Sequence, residues 1–250
     1  MKLAGKCAIV TGGTRGIGKA LVEKLAAEGA NVAFSYAANR ERAAEIETAL
    51  SRSHARVFAL RSDVRDRAEV DAFVARAIAE FGRIDIAINN AHQAYEGRAF
   101  AEAGWEDFQR EIDTLVKGPF NVTQACLPQM QAQGGGSIVN IGSTMALAPR
   151  VRHAFYVTAK CALMGMTQSM ALELGRYGIR VNMVTPGPLA TDHNASYPPE
   201  IMRRLNDETP LHGRIATVEE VADAITLLCM DEARAVTGAN LLASAGFAIA

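Results

Sequence analysis

Cysteine is scarce in this chain, aromatic residues make up only 6% of it, and charge of neither sign prevails. The four cysteines, Cys7, Cys126, Cys161 and Cys229, stand singly in apolar runs with no C-x-x-C pair. That spacing excludes a disulfide framework and a zinc site of the finger type, and no metal is expected. Free thiols in apolar surroundings fit a reducing compartment, so a cytoplasmic location is expected. A net charge of −1 over 250 residues gives no electrostatic footing for nucleic acid or an anionic membrane as partner. Met1 to Lys6 lacks the apolar region of a signal peptide, and no later apolar run is long enough to span a bilayer. No repeat, low-complexity tract or linker interrupts the chain, so residues 1–250 read as one domain.

What is present is an alternation of short apolar runs and helical patterns. Cys7-Ala-Ile-Val10 stops at Thr11-Gly12-Gly13-Thr14-Arg15-Gly16-Ile17-Gly18, and a helical pattern follows with Ile17, Leu21, Val22 and Leu25 on one face. In a strand–turn–helix context, glycines let backbone N–H groups approach a pyrophosphate at the positive end of the helix. The spacing is G-x-x-x-G-x-G rather than the common G-x-G-x-x-G. The next strand, Asn31–Ser35, leads into Tyr36, Ala37, Asn39 and Arg40. An acid there would bond a ribose 2′-hydroxyl and select NAD. Its absence, with Arg15 and Arg40 nearby, favours a 2′-phosphate and hence NADP(H) over NAD(H).

Further units follow. A strand at Val57–Leu60 ends at Ser62-Asp63-Val64, and Asp66 with Glu69 forms a capping-box pattern for a helix that Gly82 closes. Ile84–Ile88 ends in Asn89-Asn90-Ala91-His92, polar residues at the strand end where α/β sheets bind ligands. Successive βα units predict an α/β, doubly wound three-layer fold on a parallel sheet. Trp105 to Gln133 reads as a helix kinked at Pro119. A strand at Ser137–Ile141 then delivers Ser143, and a helix from about His153 to Tyr177 sets Tyr156 and Lys160 at i and i+4 on one face. Free tyrosine titrates near ~10, and a close positive charge lowers that value. With the Ser143 hydroxyl beside it, the group suits proton transfer to or from a carbonyl or alcohol oxygen. Small residues on the same helix, Ala159, Cys161, Ala162 and Gly165, make it an interface candidate. A last pair of strands, Arg180–Thr185 and Ala239–Ala243, flanks a polar insertion at Thr191–Thr209 that reads as a lid, followed by a capping box of Thr217 and Glu220.

Taken together, Thr11-Gly12…Gly16-Ile17-Gly18, Asp63-Val64, Asn89-Asn90-Ala91, Ser143, Tyr156-x-x-x-Lys160, Pro186-Gly187 and Thr191 resemble the short-chain dehydrogenase/reductase family over essentially the whole chain. The likeness is greatest to its β-ketoacyl-ACP-reductase-like members. It implies a Rossmann-type fold with about seven parallel strands, an NAD(P) cofactor, and a homotetramer or homodimer built on the Tyr156 helix and the helix before it. It implies that Tyr156 protonates the carbonyl oxygen, Ser143 holds it, and Lys160 lowers the tyrosine's pKa and bonds the nicotinamide ribose. Gly12, Thr14, Arg15, Gly16, Ile17 and Gly18 would take the pyrophosphate side, and Tyr36, Asn39 and Arg40 the adenosine ribose. Asp63 and Val64 would touch adenine, Asn89 and Ala91 the ribose region, and Pro186, Gly187, Leu189 and Thr191 the nicotinamide.

The chain departs from the family pattern where a catalytic asparagine is expected. In Leu115-Val116-Lys117-Gly118-Pro119-Phe120 that position is Leu115, which cannot hydrogen-bond. The expected effect is slowed proton resupply rather than lost hydride transfer. His92 replaces a glycine beside the cofactor crevice; it reads first as a tolerated loop residue, with a substitute proton carrier as the other reading. The expected activity is NADP(H)-dependent reduction of a small, partly apolar carbonyl compound, with a 3-oxoacyl group on acyl carrier protein as the family default. Arg150, Arg152, Arg203 and Arg204 are candidates for a basic rim facing such a carrier. The other reading is a dinucleotide-binding protein with little or no turnover that acts as a regulatory or structural subunit.

Overall fold

The computed structural model describes residues 1–189, 198–211 and 213–248. Strands β1 (Cys7–Val10), β2 (Asn31–Tyr36), β3 (Val57–Arg61), β4 (Ile86–Asn89), β5 (Gly136–Ile141), β6 (Ile179–Pro186) and β7 (Asn240–Ala243) form one sheet in the order β3-β2-β1-β4-β5-β6-β7. Every pairing is parallel. The order reverses between β1 and β4, and the crevice beyond the carboxyl ends of those strands is where such sheets take ligands.

The strands are near-continuous apolar runs because both faces are covered. Alternation along each strand divides its side chains between two cores. Ala8 and Val10 of β1, Ile86 and Ile88 of β4, and Val139 and Ile141 of β5 face one side. There they meet Leu21 and Leu25 of α1 (Gly16–Ala27) and Val221 and Ile225 of α8 (Val218–Cys229). Cys7, Ile9, Ala87 and Ile138 face the other side, against Phe73 of α3 (Arg67–Phe81), Val122 of α5 (Gly118–Ala132) and Ala171 of α6 (Ala154–Leu174). Each large side chain so buried contributes about 1.5–3 kcal/mol. The helix α2 (Arg40–Leu50) covers the β2–β3 edge with Ala43 and Ile46.

Local chemistry sets the helix ends. Asp66 accepts N–H bonds from Ala68 and Glu69 and so caps α3, and Gly82 ends that helix in the left-handed region at φ 79°. The reciprocal half of the expected capping box is absent there. Glu69 turns away to accept from the Asp63 N–H and from Arg61, fastening the β3 end instead. The Thr217–Glu220 box at α8 is complete.

The long helix also differs from expectation. It runs as α4 (Trp105–Ile112), a π-helical turn at Asp113–Lys117, and then α5. Pro119 sits in the first turn of α5 rather than at a kink. Proline has no N–H to offer the carbonyl four residues back, and its ring crowds that carbonyl. The register therefore widens one turn earlier, around Leu115. Beyond β6, α7 (Pro199–Asp207) covers the described part of the expected lid, with Leu205 packed on Ile215 and Phe247. The rest of that lid, including Thr191, lies outside the described residues.

Candidate active site

The sheet's carboxyl edge brings Ser143 and Tyr156 together. Ser143 follows β5 by two residues, and its Oγ accepts the Met145 N–H at 3.2 Å to start a short 3-10 turn. Gly142 before it has no room for a side chain. A Cβ there would overlap Thr185 Oγ1 and lie 2.9 Å from Met183 Sδ. Tyr156 lies in the first turn of α6 and shares a hydrogen bond with Ser143. Lys160, one turn on, is buried, donates from Nζ to the Ile141 carbonyl at 2.6 Å, and stands 5.6 Å from the centre of the Tyr156 ring. Tyr95 stacks on Tyr156 at 5.0 Å and bonds His153 Nδ1 at 3.1 Å, while His92 meets Tyr156 edge-on at 5.5 Å. Phe155 closes the wall, edge-on to Tyr95 and to Phe108.

The electrostatics differ from the expectation in one respect. A nearby ammonium was expected to pull the tyrosine down. Burial dominates instead and pushes Tyr156 up to about 12, with the Ser143 hydrogen bond opposing it and the Glu111 charge adding to it. Burial also pulls Lys160 down to about 8, against the raising effect of Glu111. At neutral pH Tyr156 is therefore a protonated phenol, the form that can donate to a substrate oxygen.

The glycine turn sits beside this group. Gly12 and Gly16 take positive φ values of 68° and 51°. Asn90, whose role the sequence alone left unread, holds the turn by donating Nδ2 to the Thr11 and Gly12 carbonyls at 2.9 and 3.0 Å. Arg15 is the N-cap of α1 but offers it no side-chain acceptor, and no acid lies in the first turn. The first amides of α1 thus face the crevice without an internal anion, which suits a pyrophosphate. Thr14 and Ile17 are half-buried at the same turn. At the β2 end Tyr36, Asn39 and Arg40 carry no carboxylate; Asn39 also caps α2 by accepting the Arg42 N–H. The Ser35 and Ser62 hydroxyls, at the ends of β2 and β3, are buried without a hydrogen-bond partner among the described residues. Together the open cradle, the uncapped helix and these hydroxyls fit a dinucleotide.

Other predicted contacts are engaged within the protein. Asp63 is held by a bidentate pair with Arg65, which keeps its carboxyl below the usual range. Val64 is buried, and its carbonyl accepts from Asn121. The Asn89 side chain turns into the sheet, donating to Asn140 Oδ1 at 2.8 Å, and Asn140 in turn donates to Thr167. Ala91 packs its backbone against Gly12. Pro186 and Gly187 close β6, and Leu189 is buried and bridges to Ala216. Three of the four arginines of the expected basic rim are engaged within the protein, while Arg203 is exposed. Arg150 and Arg204 pair with Glu208, and Arg152 donates to the Gly97 carbonyl.

Leu115 is 2% exposed inside the π turn. Leu115→Asn would place a polar amide at a buried position, so a loss of about 1–3 kcal/mol is expected if the amide finds no partner, visible as a lower thermal midpoint. An unchanged midpoint would mean that the position is wet or roomy.

A family model described as "Enoyl-(Acyl carrier protein) reductase" matches residues 12–248. The 3-oxoacyl-[acyl-carrier-protein] reductase FabG of Staphylococcus aureus is 33% identical over 243 residues, 96% of this chain and 97% of that protein. The 2,5-dichloro-2,5-cyclohexadiene-1,4-diol dehydrogenase of Sphingobium indicum is 39% identical over 253 residues, 98% of each. A short chain dehydrogenase from Burkholderia cenocepacia, solved in complex with NADP, superimposes with a TM-score of 0.91 at 31% identity over 100% of both chains. The chain belongs to the short-chain dehydrogenase/reductase family and is an oxidoreductase acting on CH–OH or C=O groups.

Proposed function

We propose that the chain reduces a small, partly apolar carbonyl compound to an alcohol with NADPH. The observation that carries this reading is the Ser143–Tyr156 pair, with the buried Lys160 behind it, at the sheet edge beside the glycine turn. Ser143 Oγ and Tyr156 Oη converge on one point where a carbonyl oxygen would sit. Tyr156 gives up its proton there as the oxygen gains charge. Lys160, tied to Ile141, fixes the α6 turn and supplies the positive field. Bound dinucleotide supplies the hydride; the protein holds and orients it. Tyr95 and His153 offer an aromatic wall to the substrate, with the buried Phe155 supporting Tyr95 from behind. A 3-oxoacyl thioester on a carrier protein is the substrate class suggested by the FabG relative.

NADPH is preferred to NADH in this reading because the β2 end lacks a carboxylate and Arg15 and Arg40 lie near it. The NADP complex of the Burkholderia relative supports the same choice. The unit is a single domain, 1–250, that works as a homodimer or homotetramer through α5 and the outer face of α6, where Cys161, Ala162, Gly165 and Leu172 are exposed. Leu115 favours the reading of a low-turnover dinucleotide-binding subunit, but the Ser143, Tyr156 and Lys160 geometry is intact and weighs against it.

The test is separate titration with NADPH and NADH, then a short 3-oxoacyl thioester and a ketone panel, following cofactor oxidation. We expect NADPH to bind at least about tenfold more tightly, which is about 1.4 kcal/mol, and to be oxidised by a member of the panel. Tighter NADH binding would overturn the cofactor reading, and tight NADPH binding without oxidation of any ketone would favour the low-turnover subunit.

A further inference from the structure

A buried carboxyl group lies within electrostatic reach of the Tyr156–Lys160 pair. Glu111, in the last turn of α4 and four residues before Leu115, is 0% exposed. Neither of its oxygens has a hydrogen-bond partner among the described residues. Its neighbour Asp107, one turn earlier and also buried, is fully engaged by the Gly104 N–H, Arg98 and Arg110. Among the described residues, two basic side chains approach Glu111 within 4 Å. Arg110 Nε on its own helix lies 3.9 Å from Oε1, and His92 Nε2, from the loop after β4, lies 3.9 Å from Oε2. From α6, Lys160 and Tyr156 both feel its charge. A buried carboxylate without hydrogen bonds is unfavourable. Burial accordingly pushes Glu111 up to about 7, against Arg110 and Lys160, so that it exchanges its proton near neutrality. His92 is 38% exposed at the side chain and spans the distance from Glu111 to solvent.

We propose that Glu111 is the proton reservoir behind the Tyr156–Lys160 pair, refilled from solvent through His92, and so does in this chain what no polar group at position 115 can do. The inference rests on Tyr156 being the acid of the reaction. In each reduction the Tyr156 O–H bond breaks and the substrate O–H bond forms. The Lys160 ammonium returns a proton to the phenolate, and the Glu111 carboxyl reprotonates the lysine. His92 then accepts a proton from solvent on one ring nitrogen and gives one to the Glu111 carboxylate, returning to the neutral imidazole. Reduction consumes one proton per cycle, and every acceptor ends as it began. Glu111 and Lys160 do not touch, so their exchange passes through a bridging water, and the 3.9 Å separation from His92 to Glu111 is closed by a side-chain rotation or another water. Glu111 acts through Lys160, so it is a positioning residue for the proton and not a catalytic residue.

The experiment compares the first turnover of NADPH-loaded protein with steady-state turnover, as a function of pH, for wild type, Glu111→Gln, Glu111→Asp, His92→Phe and Tyr156→Phe. In wild type, protonated Glu111 supplies the proton, so steady-state kcat for reduction falls as pH rises through about 7, the value to which burial pushes Glu111. Glu111→Gln is expected to keep most of its first turnover, because that proton already sits on Tyr156, while steady-state kcat falls at least about tenfold, the low end for proton-transfer groups, and loses this limb. Glu111→Asp restores part of the limb. Equal loss in both phases, or a steady-state profile like wild type, overturns the proposal. If Glu111→Gln does not fold, His92→Phe carries the same test, with the steady state slowed and the first turnover retained. A first turnover that survives Tyr156→Phe would instead overturn the reading of Tyr156 on which the proposal rests.

Discussion

Tyr156→Phe is expected to lower kcat by about 10²–10⁴-fold, the usual contribution of a placed acid–base group, with NADPH affinity nearly unchanged. The substitution removes one oxygen and little else. The ring keeps its stack on Tyr95 at 5.0 Å and its edge contact with His92 at 5.5 Å. The lost hydrogen bond to Ser143 leaves that hydroxyl with the Met145 N–H it already accepts. Stability should therefore fall by no more than about 1.5 kcal/mol, the net worth of one hydrogen bond, and melting curves would show it. The chemistry should not survive, because the neighbours cannot substitute. Lys160 is tied at 2.6 Å to the Ile141 carbonyl behind the ring, and Ser143 is too weak an acid to protonate an alkoxide in its place. Cofactor oxidation with a reactive ketone is the measurement. A variant that retained a tenth of wild-type turnover would move the proton donor elsewhere, with His92 the first place to look.

The same pair shows which parts of the site sequence can express. Tyr156 and Lys160 stand four apart in an apolar helix, Ser143 follows an apolar strand, and the glycine turn lies between a strand and a helix. Those are local patterns, and the fold places them together as the pattern implies. The strands were legible for a similar reason, since burial on both faces makes β1 and β4 almost wholly apolar and gives β5 and β6 apolar cores. Glu111 was not legible. It lies in Trp105-Glu-Asp-Phe-Gln-Arg-Glu111, a run of charges that reads as a solvated helix face, and only the packing of α4 on α6 puts it at 0% exposure. Its spacing of one turn from Leu115 was the available signal. Asn90 and Asn140 escaped similarly, because their partners lie far along the chain, at Thr11 and Gly12 for Asn90 and at Thr167 for Asn140. The direction of the Tyr156 shift also depends on tertiary structure. Proximity of a lysine favours the phenolate, burial disfavours it, and composition cannot say which prevails.

Gly18→Ala is the second large effect, and it is expected to abolish dinucleotide binding before any chemistry can be measured. Gly18 is the third residue of α1, directly above the turn. A Cβ at this position would overlap the Gly12 carbonyl oxygen and come within 2.5 Å of Asn90 Nδ2. Those two atoms are hydrogen-bonded to each other at 3.0 Å, so the methyl group strikes the bond that holds the turn shut. Neither side can yield easily. Gly12 is held at φ 68°, and a shift of its backbone runs into Ala91, whose Cα already lies 2.9 Å from where a Gly12 side chain would begin. Asn90 is fixed from both ends by Thr11. Overpacking of this kind costs about 1–3 kcal/mol, and an unpaired buried amide adds about 1–3 kcal/mol. Thermal melting of the free protein should report that loss, and NADPH should no longer raise the midpoint, because the amides at the α1 N-terminus are turned away from the crevice. Gly16→Ala offers the control. It has open space around it, so only its φ of 51° resists a side chain, and its loss should be the smaller of the two. If Gly18→Ala binds NADPH as wild type does, the cradle of Gly12, Asn90 and α1 does not hold the pyrophosphate, and the dinucleotide must enter the crevice by another edge.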